Sequence, residues 1–191
     1  MTPTARLVFL AIWLTGLAVS GGGFGCGSVA DLPFLWDLVA GSVAADPNEC
    51  AVPIDEEELV AEVIRLVNQE RISRGLNPVE VHPLLKQAAG SYACTMISDG
   101  YFGHYHPTTG EGPGDRATAV GYQYRAVGEN LAAGQRTPAE VMEDWMNSTA
   151  GHRENILNPM WIHIGVAVRK GGPYGTYWVL EFGAPWRSLV P

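Results

Sequence analysis

The sequence predicts an α+β domain whose strands form an antiparallel sheet. Two observations carry this. Apolar residues recur at helical spacing between residues 55 and 100 and again after residue 137, while two apolar runs of strand length, 161–168 and 176–182, close the chain. Helices therefore precede strands, without the regular alternation that builds a parallel sheet.

Residues 1–25 read as an export signal. Arg6 supplies a small positive region, and Leu7 to Val19 is a continuous apolar run, too short for a comfortable membrane span of ~20 residues. Two processing readings stand side by side. Ala18-Val19-Ser20 is a small-x-small cleavage site for ordinary secretion. Gly23-Phe24-Gly25-Cys26 loosely resembles a bacterial lipoprotein site, in which Cys26 would be lipidated, with Gly23 where Leu is usual. Residues 26–54 read as a linker, in which Leu32, Phe34, Leu35, Trp36 and Leu38 form either a short helix or an arm. The exported chain has three cysteines, Cys26, Cys50 and Cys94. An exported context favours a Cys50–Cys94 disulfide and leaves Cys26 over, which lipidation would explain.

The domain is expected over residues 55–186. Asp55 can cap the first helix, with Glu58 three residues on as its capping-box partner. Leu59, Val63, Leu66 and Val67 mark the helix's buried face, and Gly75 its stop. Pro83 opens a second helix with a wide apolar face from Leu84 to Ile97, closed by Gly100. A loop rich in Gly, Pro, His and Thr follows, Tyr101 to Pro113, then a short helix from Asp115 to Val120. Tyr122 to Val127 is either irregular or a short strand leading to Gly128-Glu129-Asn130. Thr137-Pro138-Ala139-Glu140 is a second capping box, opening a helix with Val141, Met142 and Trp145. Lys170-Gly171-Gly172-Pro173 is the turn between the two strands.

The charge narrows the partners. A formal net charge of -8, with 12 basic against 20 acidic residues, argues against nucleic acid, which needs clustered Lys and Arg. It gives no attraction to an anionic membrane either, so a lipid on Cys26 would be the one membrane link.

Three polar motifs set between apolar segments point to one assembled site: Gly103-His104-Tyr105-His106, Gly128-Glu129-Asn130 and Gly151-His152-Arg153-Glu154-Asn155. Two imidazoles from separate segments, His104 and His152, can hold zinc and leave positions for water. Glu129 can be a third ligand, an orienter of an imidazole, or a general base. The HExxH spacing of common metalloproteases and the Gly-x-Ser-x-Gly elbow are both missing from the sequence. A purely structural polar network explains the same residues. His106 is expected to be exposed on its loop, His82 to lie outside the second helix, and His163 to face solvent. Trp145, Trp161 and Trp178 are expected in the core or cleft wall, with Tyr101 and Phe102 plugging the core beside His104. Arg153 is expected to form an ion pair with Asp115 or Glu154.

Taken together, Phe102-Gly103-His104, Gly128-Glu129-Asn130, Trp145, Gly151-His152 and Ile164-Gly165-Val166 resemble the CAP superfamily in order and spacing. This superfamily comprises the cysteine-rich secretory, antigen 5 and pathogenesis-related proteins. Trp145-Met146-Asn147-Ser148 followed by Asn155-Ile156-Leu157-Asn158-Pro159 looks most like its bacterial branch. The resemblance implies an α-β-α sandwich with a central cleft lined by two His and two Glu. It puts those roles on His104, Glu129 and His152, with Asn130 beside them. The second Glu falls on Ser148, so the tetrad is incomplete; Glu143, Asp144 and Glu154 lie nearby. Members are associated with sterol and lipid binding, with defence and in a few cases with proteolysis. The expected function is an exported binding module, secreted or anchored to the envelope, with a cleft for a divalent metal such as zinc. Its partner would be a lipid, a peptide or an envelope component. The alternatives are a metal-assisted hydrolase using His104, His152 and Glu129, against which the missing Glu counts, and a structural envelope protein.

Overall fold

The computed structural model describes residues 48–186. The export signal, the lipidation reading of Cys26 and most of the expected linker lie outside these residues. The elements run α1 (Glu56–Ile72), β1 (Glu80–Val81), α2 (Pro83–Ser98), α3 (Pro113–Ala119), β2 (Tyr124–Ala133), α4 (Pro138–Asn147), α5 (His152–Ile156), β3 (His163–Gly171) and β4 (Gly175–Pro185). The four strands form one sheet in the order β1-β3-β4-β2. The long pairs, β3 with β4 and β4 with β2, are antiparallel; the two-residue β1 adds in parallel to β3.

Alternation along the strands divides the core into two faces. Ile164, Val166, Val168, Trp178, Leu180 and Phe182 point to one side, where α1 brings Val60, Val63 and Val67 and α4 brings Val141, Met142 and Trp145. Ala167, Tyr177, Val179 and Leu131 point to the other side, onto Ala89, Tyr92, Ala93 and Met96 of α2. Both faces are covered, so β3 and β4 read as near-continuous apolar runs. The result is an α-β-α sandwich.

Gly165 shows why α2 lies so close to the sheet. A Cβ on it would stand 2.2 Å from the Leu85 carbonyl carbon and 2.3 Å from the Lys86 nitrogen. Only a residue without a side chain lets the helix backbone approach that far. The disulfide is as expected: Cys50 joins Cys94 of α2, with their Cα atoms 5.2 Å apart. Ala51 exchanges two backbone hydrogen bonds with Lys170, each 2.8 Å, so the segment ahead of α1 is tied to both α2 and the sheet.

Several expectations need correction. The segment expected to be irregular or a short strand up to Val127 is part of a longer strand, β2, which runs on through Gly128-Glu129-Asn130. Asp55 caps α1 by position, but its side chain makes no cap hydrogen bond. The third helix starts at Pro113, and Asp115 is its capping residue, accepting from Gly112 N at 2.9 Å. Arg153 joins no ion pair among the described residues. His106 is half-buried: its Nε2 lies 2.9 Å from Asp99 Oδ2, and Nδ1 accepts from Thr108 and Thr109. His163 is also half-buried, with Nδ1 2.9 Å from the Tyr122 hydroxyl. Phe102 does not plug the core; it is 42 % exposed and rests on Tyr174 and Tyr177. His82, as expected, lies outside α2; it is the N-cap, accepting from Leu84 N at 3.3 Å.

Candidate functional site

β2 is an edge strand, and consecutive residues on it face opposite layers. Glu129 points to the α2 side and Asn130 to the α4 side. Each holds one histidine of the cleft. Glu129 Oε1 pairs with His104 Nδ1 at 2.7 Å. Asn130 Nδ2 donates to the His152 carbonyl at 3.0 Å, and its Oδ1 accepts from Asn155 Nδ2 at 2.9 Å. The two imidazoles meet across the β2 edge with ring centroids 6.5 Å apart.

The loop that carries His104 is pinned from behind. The Tyr92 hydroxyl donates to the Gly103 carbonyl. Arg116 of α3 donates to the His104 carbonyl at 3.2 Å and to Glu129 Oε2 at 2.6 Å. Its guanidinium lies 3.3 Å over the Tyr92 ring centroid, a close cation–π contact. Glu129 therefore has one oxygen on Arg116 and one on His104, and its side chain is 1 % exposed. That arrangement suits an orienting carboxylate. It does not suit Glu129 as a base acting directly on a cleft water, because neither oxygen reaches the cleft free. With Nδ1 held by the carboxylate, His104 turns Nε2 outward, on a side chain 44 % exposed.

His152 is placed by α5. Gly151 takes φ 96° to start that turn, a left-handed conformation in which a side chain would be strained. The far end of α5 is held by Arg71 of α1, which is fully buried. Its Nη1 donates to the Ile156 carbonyl at 2.7 Å and the Asn158 carbonyl at 2.9 Å, and its Nε to the Asn77 carbonyl at 2.9 Å. Trp161 Nε1 adds a bond to the Asn155 carbonyl at 2.8 Å. Burial, and then the neighbouring His104, hold the His152 imidazole below its ordinary pKa.

The cleft has two lobes that share His152. One, about 370 Å³, is lined by His104, Glu129, Asn130, Glu154 and Asn158 among others. The other, about 470 Å³, has an apolar floor of Leu131, Ala132 and Trp145 and a rim including Asp144, Ser148 and Phe102. Trp145 is core and cleft wall at once, its Nε1 donating to the Leu131 carbonyl at 3.0 Å. Ser148 stands in the second lobe, where its Oγ accepts from Ala150 N at 3.0 Å. It brings no carboxylate to the histidines. Asp144 is bonded by Gln135 at 2.7 Å, and Glu143 is exposed on α4. Among the described residues, no three His, Cys, Asp or Glu side chains converge as a metal-binding group.

Sequence reasoning missed Arg71, Arg116 and Glu181. Glu181 carries a visible signal, a lone carboxylate within the apolar run Tyr177 to Phe182. Arg116 sits in a short helix of small residues and gives no such sign.

The model of the cysteine-rich secretory protein family, CAP, matches residues 64–182. The chain is 42% identical over 120 residues to the uncharacterized protein YkwD of Bacillus subtilis (strain 168), covering 63% of this chain and 45% of that protein. It is 29% identical over 109 residues to the uncharacterized membrane protein YlbC of the same organism, covering 57% of this chain and 31% of that one. The chain thus spans less than half the length of these curated relatives. Among solved structures, an extracellular protein containing a SCP domain from Bacillus anthracis str. Ames superposes with a TM-score of 0.60 at 26% identity, over 70% of this chain and 44% of that chain. An outer surface protein from Borrelia burgdorferi gives 0.62 at 23% identity, over 68% of this chain and 94% of that chain, a likeness of fold. No helix among the described residues is long and apolar enough to cross a membrane. The chain belongs to the CAP family of cysteine-rich secretory proteins.

Proposed function

We propose that this protein is an exported binding module that takes a divalent cation between His104 and His152 and presents it to a ligand lying in the cleft. The observation that carries this is the pair of imidazoles facing each other across an open cleft, one of them backed by a buried carboxylate. Ring centroids 6.5 Å apart leave room for one ion between them, since an imidazole nitrogen ligates zinc at ~2.1 Å. Glu129 on Nδ1 is the outer partner that fixes the tautomer of a ligating His. With two protein ligands the ion is held weakly, and its remaining positions go to water or to the bound ligand. Export is supported by the Cys50–Cys94 disulfide, a bond of oxidising compartments. Secretion and anchoring at Cys26 both agree with it. The ligand class we favour is a lipid, a peptide or an envelope component.

Calorimetric titration with zinc, on the wild type and on His104→Ala with His152→Ala, tests the reading. Heat in the wild type alone, with both proteins folded, supports it. Identical heats overturn it. A second reading, metal-assisted hydrolysis of peptides, draws on the Glu129–His104 dyad, with Glu129 orienting His104 rather than attacking water itself. Glu129→Gln leaving a measured peptidase activity intact removes that reading, and loss of both leaves a structural envelope role.

A further inference from the structure

Glu181 is a buried carboxyl group that the cation reading does not use. The sheet register sets it directly beside Glu129 of β2, and on its other side beside Gly165 of β3, which brings no side chain. It is 1 % exposed, and neither of its oxygens has a hydrogen-bond donor among the described residues. The charged groups that face it are Glu129 from β2 and Arg116 from α3, whose Nε lies 3.9 Å from Glu181 Oε1. From α2, the Tyr92 ring covers that guanidinium and closes the pocket.

Two carboxyl groups and one guanidinium thus share a dry pocket. With both carboxyls ionised, one negative charge is left uncompensated where water cannot reach it. A proton on one of the two removes that charge. Glu129 already accepts from Arg116 and pairs with His104. Glu181 has no such donor, so the proton belongs on Glu181.

We propose that Glu181 is a positioning residue of the cleft: a neutral carboxylic acid whose hydroxyl hydrogen-bonds Glu129 and keeps that carboxylate aimed at His104. Burial, and then the charge of Glu129, push the Glu181 carboxyl well above the usual carboxylate range, with Arg116 opposing. One hydrogen bond then serves both carboxyl groups. The unpaired Glu181 gains a partner, and Glu129 gains a third contact that fixes its rotamer. The geometry of the cleft carries this role without any bound cation, so metal-free protein serves for each measurement.

The test is carbon-13 NMR of the full-length chain with labelled glutamate carboxyls, Glu181 being assigned by its loss in Glu181→Gln. The expected Glu181 signal at pH 7 is that of a carboxylic acid; a carboxylate signal overturns the proposal. The role in positioning is read from the His104 Nδ1 proton, which should resonate far downfield while bonded to Glu129. Glu181→Gln keeps a donor and should keep that resonance, whereas Glu181→Leu should shift or lose it. An unchanged resonance in a folded Glu181→Leu protein overturns the positioning role. If that variant does not fold, stability decides. The folded state retains the Glu181 proton while the unfolded chain releases it near the ordinary Glu pKa of ~4.3, so the wild type loses stability as pH rises above that value. Glu181→Gln lacks this loss, and its melting temperature should gain on the wild type between pH 5 and 8. A gain that is flat or reversed overturns the proposal.

Discussion

Glu129 and Asn130, adjacent on β2, each hold one of the two cleft histidines. Glu129 pairs with the His104 ring at 2.7 Å on one face of the sheet, and Asn130 bonds the His152 carbonyl at 3.0 Å on the other. The edge strand is therefore the frame on which two separately folded segments are brought together. Glu129 sets the orientation of a ring; Asn130 sets the position of a backbone.

Asn130→Ala should loosen the second of these. It leaves the His152 carbonyl and the Asn155 amide without a buried partner. Such a loss costs about 1–3 kcal/mol. Urea denaturation should report a drop of that order, and zinc heats should weaken while His104 keeps its contact with Glu129. Full stability in the variant would mean that water replaces the bonds.

Arg71→Met should be more damaging. One side chain satisfies the carbonyls of Asn77, Ile156 and Asn158 and so joins α1 to the end of α5. The apolar replacement fills the space but leaves those carbonyls unpaired, for a loss of about 3 kcal/mol or more. Arg71→Lys should recover little, because a single ammonium cannot match the planar fork. Thermal melts of the three proteins check the order.

Gly165→Ala adds one methyl where the α2 backbone already stands 2.2 Å from the new carbon. Helix and strand must separate, at a cost of about 1–3 kcal/mol or more. Because Glu181 neighbours Gly165 in the sheet, the move also disturbs the buried carboxyl pocket. The measurement is a melting temperature, with crystallography of the variant to show the shift.

His163 should make the fold sensitive to acid. Burial, and then the neighbouring His82, hold its pKa below the ordinary value, while Glu80 opposes them. The unfolded chain therefore takes up a proton first as pH falls through ~6.5. Stability contributed by neutral His163 is present above that pH and is lost as pH falls toward the lowered folded value. His163→Gln should flatten the decline of melting temperature between pH 7 and 5. An unchanged slope would place the sensitivity elsewhere.

Much of the fold was legible because local chemistry wrote it. Pro83, the Thr137–Glu140 capping box and the turn at Gly171-Gly172 each mark an element end within the chain. The full length of β2 was not legible, since glycine and two polar residues interrupt its apolar pattern. They form a strand because its β4 partner is already in place and each polar side chain finds its partner across a layer. His106 and His163 were misjudged for a related reason. Alternation gives the direction of a side chain, but not its partners, here Asp99 for His106 and Tyr122 for His163.

By itself the sequence determined the fold class and the names of the cleft residues, because periodicity, caps and motif spacing are properties of short segments, and its export signal and cysteine count pointed to the disulfide. Only the tertiary structure decided what those residues do. It gave both Glu129 oxygens to Arg116 and His104, sent Ser148 to a separate lobe and buried Glu181 beside Glu129. A residue's type states which bonds it can make. Which bonds remain free for a ligand depends on groups that reach the site from distant parts of the chain.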